Sequence, residues 1–190
     1  MTNIYFVRHA HSTYSTDEVG RPLSKKGFND ANLVADLLKE HDITHVISST
    51  YKRAIQTVDK VAQQFDLTIE LVDGFRERTL SERPVADFDE AIAKVWSDPQ
   101  FSWEGGESNL VAQERGVSSL MLVLEKWKGK NVVIGTHGNI MVLIMNYFDV
   151  KYDLAFWEQL QMPDIYRLSF QDGVLKEVNR ITKEVVIHGE

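Results

Sequence analysis

The sequence predicts an α/β protein: a three-layer fold in which a mostly parallel β-sheet is flanked by helices, with a small inserted helical cap. Short apolar runs alternate along the chain with longer segments in which apolar residues recur every three or four positions. This is the pattern of strands followed by amphipathic helices. A charged stretch with prolines then interrupts the alternation. Because a strand that is joined to the next strand through a helix usually runs parallel to it, most of the sheet is expected to be parallel.

The first half of the chain predicts three strands separated by two helices. The run from Ile4 to Val7 predicts a first strand at about residues 3–7, and similar runs predict strands at 44–50 and 67–72. Amphipathic helices are expected at 25–40 and 51–66. Their predicted buried faces are Phe28, Ala31, Val34, Ala35 and Leu38 in the first helix and Ala54, Ile55, Val58, Ala62 and Phe65 in the second.

The second half predicts the cap and the end of the sheet. Residues 76–107 are charged and contain Pro84 and Pro99, so we place the cap at about 78–107. A long helix ending at Gly129, a buried strand at 131–135 and a buried helix at 140–150 are expected next. Two last strands flank Asp172-Gly173, a pair typical of hairpin turns. The chain has no internal repeat or linker, so residues 1–190 are expected to form one domain with the cap inserted.

Composition excludes several classes of protein. A net charge of −7 over 190 residues disfavours nucleic acid as a partner. The absence of cysteine excludes disulfides, a thiol nucleophile and thiolate metal sites. No apolar run reaches about 18 residues, and the first residues do not read as a secretory signal. A cytoplasmic protein with no membrane partner is therefore expected.

Charged and polar residues follow the predicted strands at their carboxyl ends. Arg8 and His9 end the first strand, Arg53 follows the second, Glu77 follows the third, and His137 follows the strand at 131–135. In a parallel sheet these ends lie along one edge, where α/β proteins build their sites. The sequence therefore predicts that two arginines, two histidines and a glutamate converge on one crevice.

This set of side chains suits phosphoryl transfer. Guanidinium groups bind phosphate oxygens in a bidentate manner, and the N–H groups of helix N-termini add further donors. A neutral imidazole can attack phosphorus and become a phosphohistidine. A carboxylic acid such as Glu77 can then give a proton to the leaving oxygen. The arginines carry the positive charge that this chemistry needs, so neither a metal ion nor a cofactor is expected.

Several sequence blocks, in order, resemble the histidine phosphatase superfamily, the phosphoglycerate-mutase-like proteins. The blocks are FVRHAHS, RPLSKKGFNDA, VISSTYKRAIQTV, FRERTL, GGES and VVIGTHGN, and they cover about residues 3–148. Two positions depart from the family pattern. Ala10 stands where the family has glycine, and Ser15 stands where many members have asparagine near the phosphate.

The resemblance implies a role for each matching position. His9 is the nucleophile, and Glu77 is the proton donor and later the base. Arg8, Arg53, His137 and Ser12 bind the phosphoryl group. The possible substrate contacts are His11, Arg78 and Gly138. The implied enzyme is a phosphatase of small phosphomonoesters, acting as a monomer or homodimer.

Other functions remain open at this stage. A cofactor-dependent phosphoglycerate mutase would use the same core residues, although mutases of this family are typically longer. The start of the chain also resembles short protein phosphohistidine phosphatases. A non-catalytic phosphate-binding protein on the same fold is a further alternative. His9 and His11, at i and i+2, could instead begin a metal-dependent hydrolase, although the arginines would repel a cation.

Overall fold

The computed structural model describes residues 1–183 and contains one mixed sheet with helices on both faces. The last seven residues of the predicted domain lie outside the described part. The strands are β1 Thr2–Arg8, β2 His45–Ser48, β3 Ile69–Leu71, β4 Asn131–Thr136, β5 Asp164–Gln171 and β6 Val174–Arg180. The helices are α1 Lys25–Leu38, α2 Lys52–Gln64, α3 Phe88–Ser97, α4 Asn109–Lys126, α5 Gly138–Phe148 and α6 Leu154–Gln159. A 3-10 turn, Asp73–Phe75, follows β3.

The sheet confirms the predicted α/β fold. Its strand order is β3-β2-β4-β1-β5-β6. The four strands from β3 to β1 run parallel to their neighbours, whereas β5 is antiparallel to β1 and β6 is antiparallel to β5. The last two strands form the predicted hairpin, and Asp172 and Gly173 adopt the positive φ angles, 50° and 79°, that such a turn requires.

The two faces of β1 show how the core is divided. Ile4 and Phe6 pack with the side chains of α4 and α5 on one face, while Tyr5 and Val7 pack with those of α1 and α2 on the other. Alternate residues of a strand point to opposite faces, so a continuous apolar strand needs cover on both. The first strand is therefore buried between two helical layers.

Most predicted elements form close to their expected positions, with three differences. Phe28 was expected on the buried face of α1 but is 47% exposed, and Gly27 lies against the core instead. The long helix ends at Lys126 rather than Gly129. The short helix α6 was not predicted, because six residues are too few to show a periodicity.

The segment predicted as a cap contains one helix, α3. Ala91, Ile92 and Val95 form its buried face, and the indole N–H of Trp96 donates to the side-chain oxygen of Asn139 at 3.3 Å. The segment is therefore tied to the first turn of α5. Its role as a cap stays a prediction. Within residues 1–183, no helix is both long and apolar enough to cross a bilayer.

Candidate active site

The ends of β1, β2 and β4 coincide because of the sheet register. Arg8 pairs with Thr136, and Ser48 pairs with Gly135. The next residues continue this alignment: the amide of His9 donates to the carbonyl of Thr136, and that of Ser49 donates to the carbonyl of Gly135, both at 2.9 Å. The register therefore brings His9, Ser49 and His137 to one point of the sheet edge, with 5.1 Å between the centres of the two imidazole rings.

His9 is buried and held in one tautomer. Its Nδ1–H donates to the carbonyl oxygen of Ala10 at 2.7 Å, and a carbonyl oxygen can only accept. Its Nε2 accepts a hydrogen bond from the Nε–H of Arg53 at 3.3 Å, so Nε2 carries the lone pair. Burial, with the nearby positive charges of Arg53 and Arg8, lowers the pKa of His9 to about 3. The imidazole is therefore neutral at physiological pH, with the lone pair of Nε2 facing Arg53.

His137 is oriented by a hydroxyl group of the neighbouring strand end. Its Nε2 lies 2.8 Å from the hydroxyl oxygen of Ser49, which accepts a bond from the amide of Tyr51 at 3.3 Å. The Ser49 hydroxyl can donate to Nε2 or accept from it, since a hydroxyl has one hydrogen and two lone pairs. The Nδ1 of His137 is buried and has no hydrogen-bond partner within residues 1–183. Burial above all, with a smaller effect of nearby groups such as Arg53, holds the pKa of His137 well below its usual value.

Two arginines supply positive charge beside the histidines. Arg53, on the first turn of α2, is 3% exposed, and its guanidinium binds the carbonyl and carboxylate of Glu18. Arg8 donates through Nη1 to the carbonyls of Leu160 and Gln161, each at 3.3 Å, while its Nε has no partner in the described chain. Neither guanidinium is fully used by its present contacts, so both retain donors for an anion.

Glu77 lies at the N-terminus of α5. Its Oε1 accepts from the amides of Arg78 and Ile140, at 2.8 and 2.9 Å, and its Oε2 accepts from the amide of Asn139 at 3.1 Å. Unpaired N–H groups at a helix N-terminus favour such a carboxylate. Its charge raises the pKa of both Arg8 and Arg53 against the larger lowering effect of burial. Oε2 has fewer partners than Oε1 and is the oxygen better placed to carry a proton.

The loop that carries Glu77 is held by Arg115 of α4. The Nη1 of Arg115 donates to the carbonyls of Gly74 and Arg76, at 2.8 and 3.0 Å. Its Nε and Nη2 form a two-point ion pair with Glu107, both bonds being 2.9 Å long. Glu107 in turn accepts from the amide of Thr79 at 3.1 Å. The chain is therefore held both before and after Glu77, and this fixes the position of its carboxylate.

The other predicted site residues differ in how close they lie to this cluster. Gly138 begins α5, and a Cβ there would lie 3.0 Å from both Arg8 Nε and Trp157 Nε1. Arg78 is 4% exposed, forms no ion pair with the described carboxylates, and donates to the side-chain oxygen of Asn109. Ser12 is half-buried in an isolated bridge with Leu23. Gly138 thus contacts the cluster, while Arg78 and Ser12 stand beside it.

His11 lies in a different environment from His9. Its ring is exposed and its Nδ1 is 2.7 Å from the hydroxyl of Ser24, the N-cap residue of α1. The two histidines therefore do not share one binding point, as the alternative of a metal-dependent hydrolase would require. Among residues 1–183, no three His, Cys, Asp or Glu side chains are grouped as ligands for a metal ion.

Sequence reasoning missed four residues of the cluster. Ser49 orients His137, and Thr57 accepts from the amide of Ala10 at 3.0 Å. Glu18 binds Arg53, and the indole Nε1 of Trp157 is buried without a partner in the described residues. Ser49 could have been found from the sequence, because Ser48, Ser49 and Thr50 form a run of hydroxyl residues at the end of a buried strand. Thr57 could have been found as a polar residue on an otherwise apolar helix face.

Comparisons with known proteins agree with this geometry. The chain is 29% identical over 154 residues to phosphoglycerate mutase-like protein 4 of Arabidopsis thaliana, an alignment that covers 73% of this chain and 67% of the relative. A phosphoserine phosphatase from Entamoeba histolytica, solved with 3-phosphoglyceric acid, superimposes with a TM-score of 0.76 at 21% identity and covers 94% of this chain and 97% of that chain. A mycobacterial glucosyl-3-phosphoglycerate phosphatase, solved with VO3, superimposes with a TM-score of 0.75 at 19% identity. The alignment covers 95% of this chain and 98% of that chain.

The fold and the cluster at its edge define an α/β protein of the phosphoglycerate-mutase-like class. The family model for branch 1 of the histidine phosphatase superfamily matches residues 4–180. The chain therefore belongs to this superfamily.

Proposed function

We propose that this protein is a phosphatase that hydrolyses phosphomonoesters through a phosphohistidine on His9. The observation that carries the proposal is the state of His9: a buried, neutral imidazole with its proton fixed on Nδ1 and its Nε2 lone pair beside Arg53. An imidazole in this state is a nucleophile at neutral pH.

The reaction then follows from the positions of the side chains. The substrate phosphoryl group binds to Arg8 and Arg53, and His137 Nδ1–H donates to one of its oxygens. His9 Nε2 forms a bond to phosphorus as the ester P–O bond breaks, and the leaving oxygen takes the proton from Glu77. Glu77, now a carboxylate, removes a proton from water, which attacks phosphorus and breaks the N–P bond. Phosphate leaves, and His9 and Glu77 return to their starting states.

The remaining predicted residues form the surroundings of this reaction. The amides of the first turn of α5, which begins at Gly138, stabilise the negative charge of Glu77. Arg78 is proposed to meet a second polar or anionic group of the substrate, because its charge is not paired with a carboxylate of residues 1–183. Ser12 and His11 are proposed as contacts at the rim. The arginines carry the positive charge in this scheme, so the proposed reaction uses no metal ion or cofactor.

The main alternative is a phosphoglycerate mutase. Its support is the curated relative from Arabidopsis thaliana, which is named as phosphoglycerate mutase-like. The two solved relatives named as phosphatases support hydrolysis, one for phosphoserine and one for glucosyl-3-phosphoglycerate. A mutase retains the phosphoryl group in the site, whereas a phosphatase lets water in. The experiment must therefore compare the release of phosphate with the isomerisation of the substrate.

The deciding experiment measures phosphate release from a panel of aryl, alkyl and sugar phosphates, phosphoserine and 3-phosphoglycerate. Isomerisation of 3-phosphoglycerate is followed in the same samples, with and without 2,3-bisphosphoglycerate. We expect release without isomerisation. Isomerisation faster than release would identify a mutase. No turnover of small esters, but release from a phosphohistidine protein, would identify a phosphoprotein phosphatase. No turnover on any of them would favour a binding protein.

The nucleophile is tested on the best substrate of that panel. His9→Ala should reduce turnover by more than about a thousandfold, because the covalent path is removed. Acid-labile phosphate should be trapped on the wild type but not on this variant. EDTA should leave the wild-type rate unchanged. Turnover of His9→Ala within tenfold of the wild type would refute the assignment.

The setting of the reaction rests on the sequence. We propose a cytoplasmic enzyme that acts on a small molecule, as a monomer or a homodimer, with no nucleic-acid or membrane partner. A net charge of −7 supports the exclusion of nucleic acid.

A further inference from the structure

The loop at residues 13–22 lies against the N-terminus of α2, beside the cluster. The amide of Lys52, the first residue of α2, donates to the carbonyl of Val19 at 2.9 Å. Within the loop, Asp17 accepts from the amides of Gly20 and Arg21, each at 2.9 Å. These bonds hold the loop on α2 while its side chains extend towards the phosphoryl site.

Glu18 of this loop occupies the guanidinium of Arg53. Its carbonyl accepts from Arg53 Nη1 at 2.6 Å, and its Oε2 accepts from Nη2 at 3.2 Å. Its other carboxylate oxygen, Oε1, is bonded to Nη2 of Arg21. One carboxylate therefore bridges two arginines, and Arg53 also binds the nucleophilic nitrogen of His9.

Arg21 lies close enough to this cluster to act on its charges. Its positive charge contributes to the lowered pKa of His9 and of Arg53, after the larger effect of burial. Its guanidinium Nε is buried and has no partner in the described chain. The proposed mechanism uses neither Arg21 nor Glu18, so their arrangement needs its own explanation.

Carboxylate and phosphate are alternative partners of a guanidinium. Both offer two oxygens to its fork, but a phosphate dianion carries the larger charge. The side chain of Glu18 is 58% exposed, whereas that of Arg53 is 4% exposed. An exposed carboxylate can be replaced at low cost, since solvent stabilises it after release. A buried arginine cannot leave, so it needs another anion.

We propose that the substrate phosphoryl group replaces the Glu18 carboxylate between Arg53 and Arg21, so that Arg21 is a third phosphoryl-binding arginine. For the substrate, this inference rests on the proposed phosphatase function. For an inorganic anion, it rests only on the contacts above. Glu18 then lowers the affinity of the empty site for phosphate and reduces the repulsion between the two arginines until the substrate arrives.

A purely structural role for Glu18 makes the opposite prediction. If Glu18 served to hold Arg53 in its productive orientation, removal of its charge would weaken phosphate binding and slow turnover. If it competes with phosphate, removal of its charge strengthens phosphate binding and lowers KM. The sign of the effect therefore separates the two roles.

The test measures the affinity for inorganic phosphate by calorimetry and by competitive inhibition, with KM and kcat for the best ester. The variants are Glu18→Gln, Arg21→Gln and Arg21→Lys. Glu70→Gln is the matched control, since it removes the same charge from an exposed pair with Lys126 on β3 and α4. Thermal unfolding checks that each variant is folded.

We expect Glu18→Gln to bind phosphate about three- to fivefold more tightly and to show a lower KM for the ester. Arg21→Gln should bind it about tenfold more weakly, Arg21→Lys should be intermediate, and Glu70→Gln should match the wild type. Weaker binding by Glu18→Gln, wild-type affinity in Arg21→Gln, or no phosphate binding by either wild type or Glu18→Gln would overturn the proposal. A wild type that hydrolyses no ester would refute the phosphatase function, while the phosphate affinities would still decide the exchange.

Discussion

At the scale of single residues, the site depends on which atom carries each proton. His9 is fixed by one carbonyl and one guanidinium, and His137 by one hydroxyl. These contacts come from the next residue along the chain, from the first turn of α2 and from the neighbouring strand end. The tautomer of His9, the proposed nucleophile, is therefore set by the fold.

The acid role of Glu77 predicts a dependence on the leaving group. Glu77→Gln keeps the hydrogen bonds of one oxygen but cannot give a proton to the departing alkoxide. We expect kcat/KM for alkyl phosphates to fall about a hundredfold or more, because general acid catalysis contributes about 10²–10⁴-fold. For nitrophenyl phosphate, with a good leaving group, kcat/KM should fall less than about tenfold, because this ratio reports the phosphorylation step and not the later step in which Glu77 activates water. Rates measured across esters of graded leaving-group pKa would show this, and equal losses would count against Glu77.

The lowered pKa of His9 predicts how stability changes with pH. In the unfolded chain the group takes up its proton near 6.5, whereas in the folded protein it does so only at about 3. Between these pH values the unfolded state binds more protons than the folded state. The contribution of neutral His9 to the stability of the fold is therefore complete above pH 6.5 and falls as the pH is lowered towards 3.

Urea unfolding at pH 7 and pH 5 measures this effect. His9→Gln, which has no titrating ring, should lose less stability on acidification than the wild type, by about 2 kcal/mol. An equal loss in the two proteins would show that His9 is not held neutral by the fold.

At the scale of elements, the loop that carries Glu77, the proposed acid, depends on a helix that contributes no residue to the cluster. Arg115 of α4 binds two carbonyls of the segment before Glu77 and is itself fixed by Glu107. A flexible loop would place the acid correctly only part of the time. Arg115 is thus a positioning residue for Glu77.

Arg115→Met is expected to lower kcat for alkyl phosphates about tenfold, with little change in KM, because a displaced acid affects the transition state rather than binding. Nitrophenyl phosphate should be affected less, as in Glu77→Gln. Lys126→Met, which removes a surface ion pair from the same helix, is the control. A loss that is equal for all esters, with lowered stability, would indicate a structural role only.

At the scale of the whole molecule, the sequence predicted the sheet and the core of the site but not its supporting contacts. Arg8, His9, Arg53 and His137 were visible because they interrupt apolar strands or begin helices at one edge of a parallel sheet. Ser49, Thr57 and Arg115 act through partners 30 or more positions away, which no local pattern shows. The prediction for Phe28 was wrong for a related reason. Periodicity identifies the apolar face of a helix, but the packing of neighbouring elements decides which residues at the edge of that face are buried.

The position of β1 in the sheet has a consequence for synthesis of the chain. β1 is the first strand in sequence, yet its two hydrogen-bonded neighbours are β4 and β5, which begin at residues 131 and 164. A ribosome that adds residues in order therefore releases the strand that leads into His9 long before either neighbour exists. During most of translation this apolar strand has both edges unpaired, a state prone to aggregation. The proposed site can thus form only late in synthesis, once β4 and β5 are available to pair with β1.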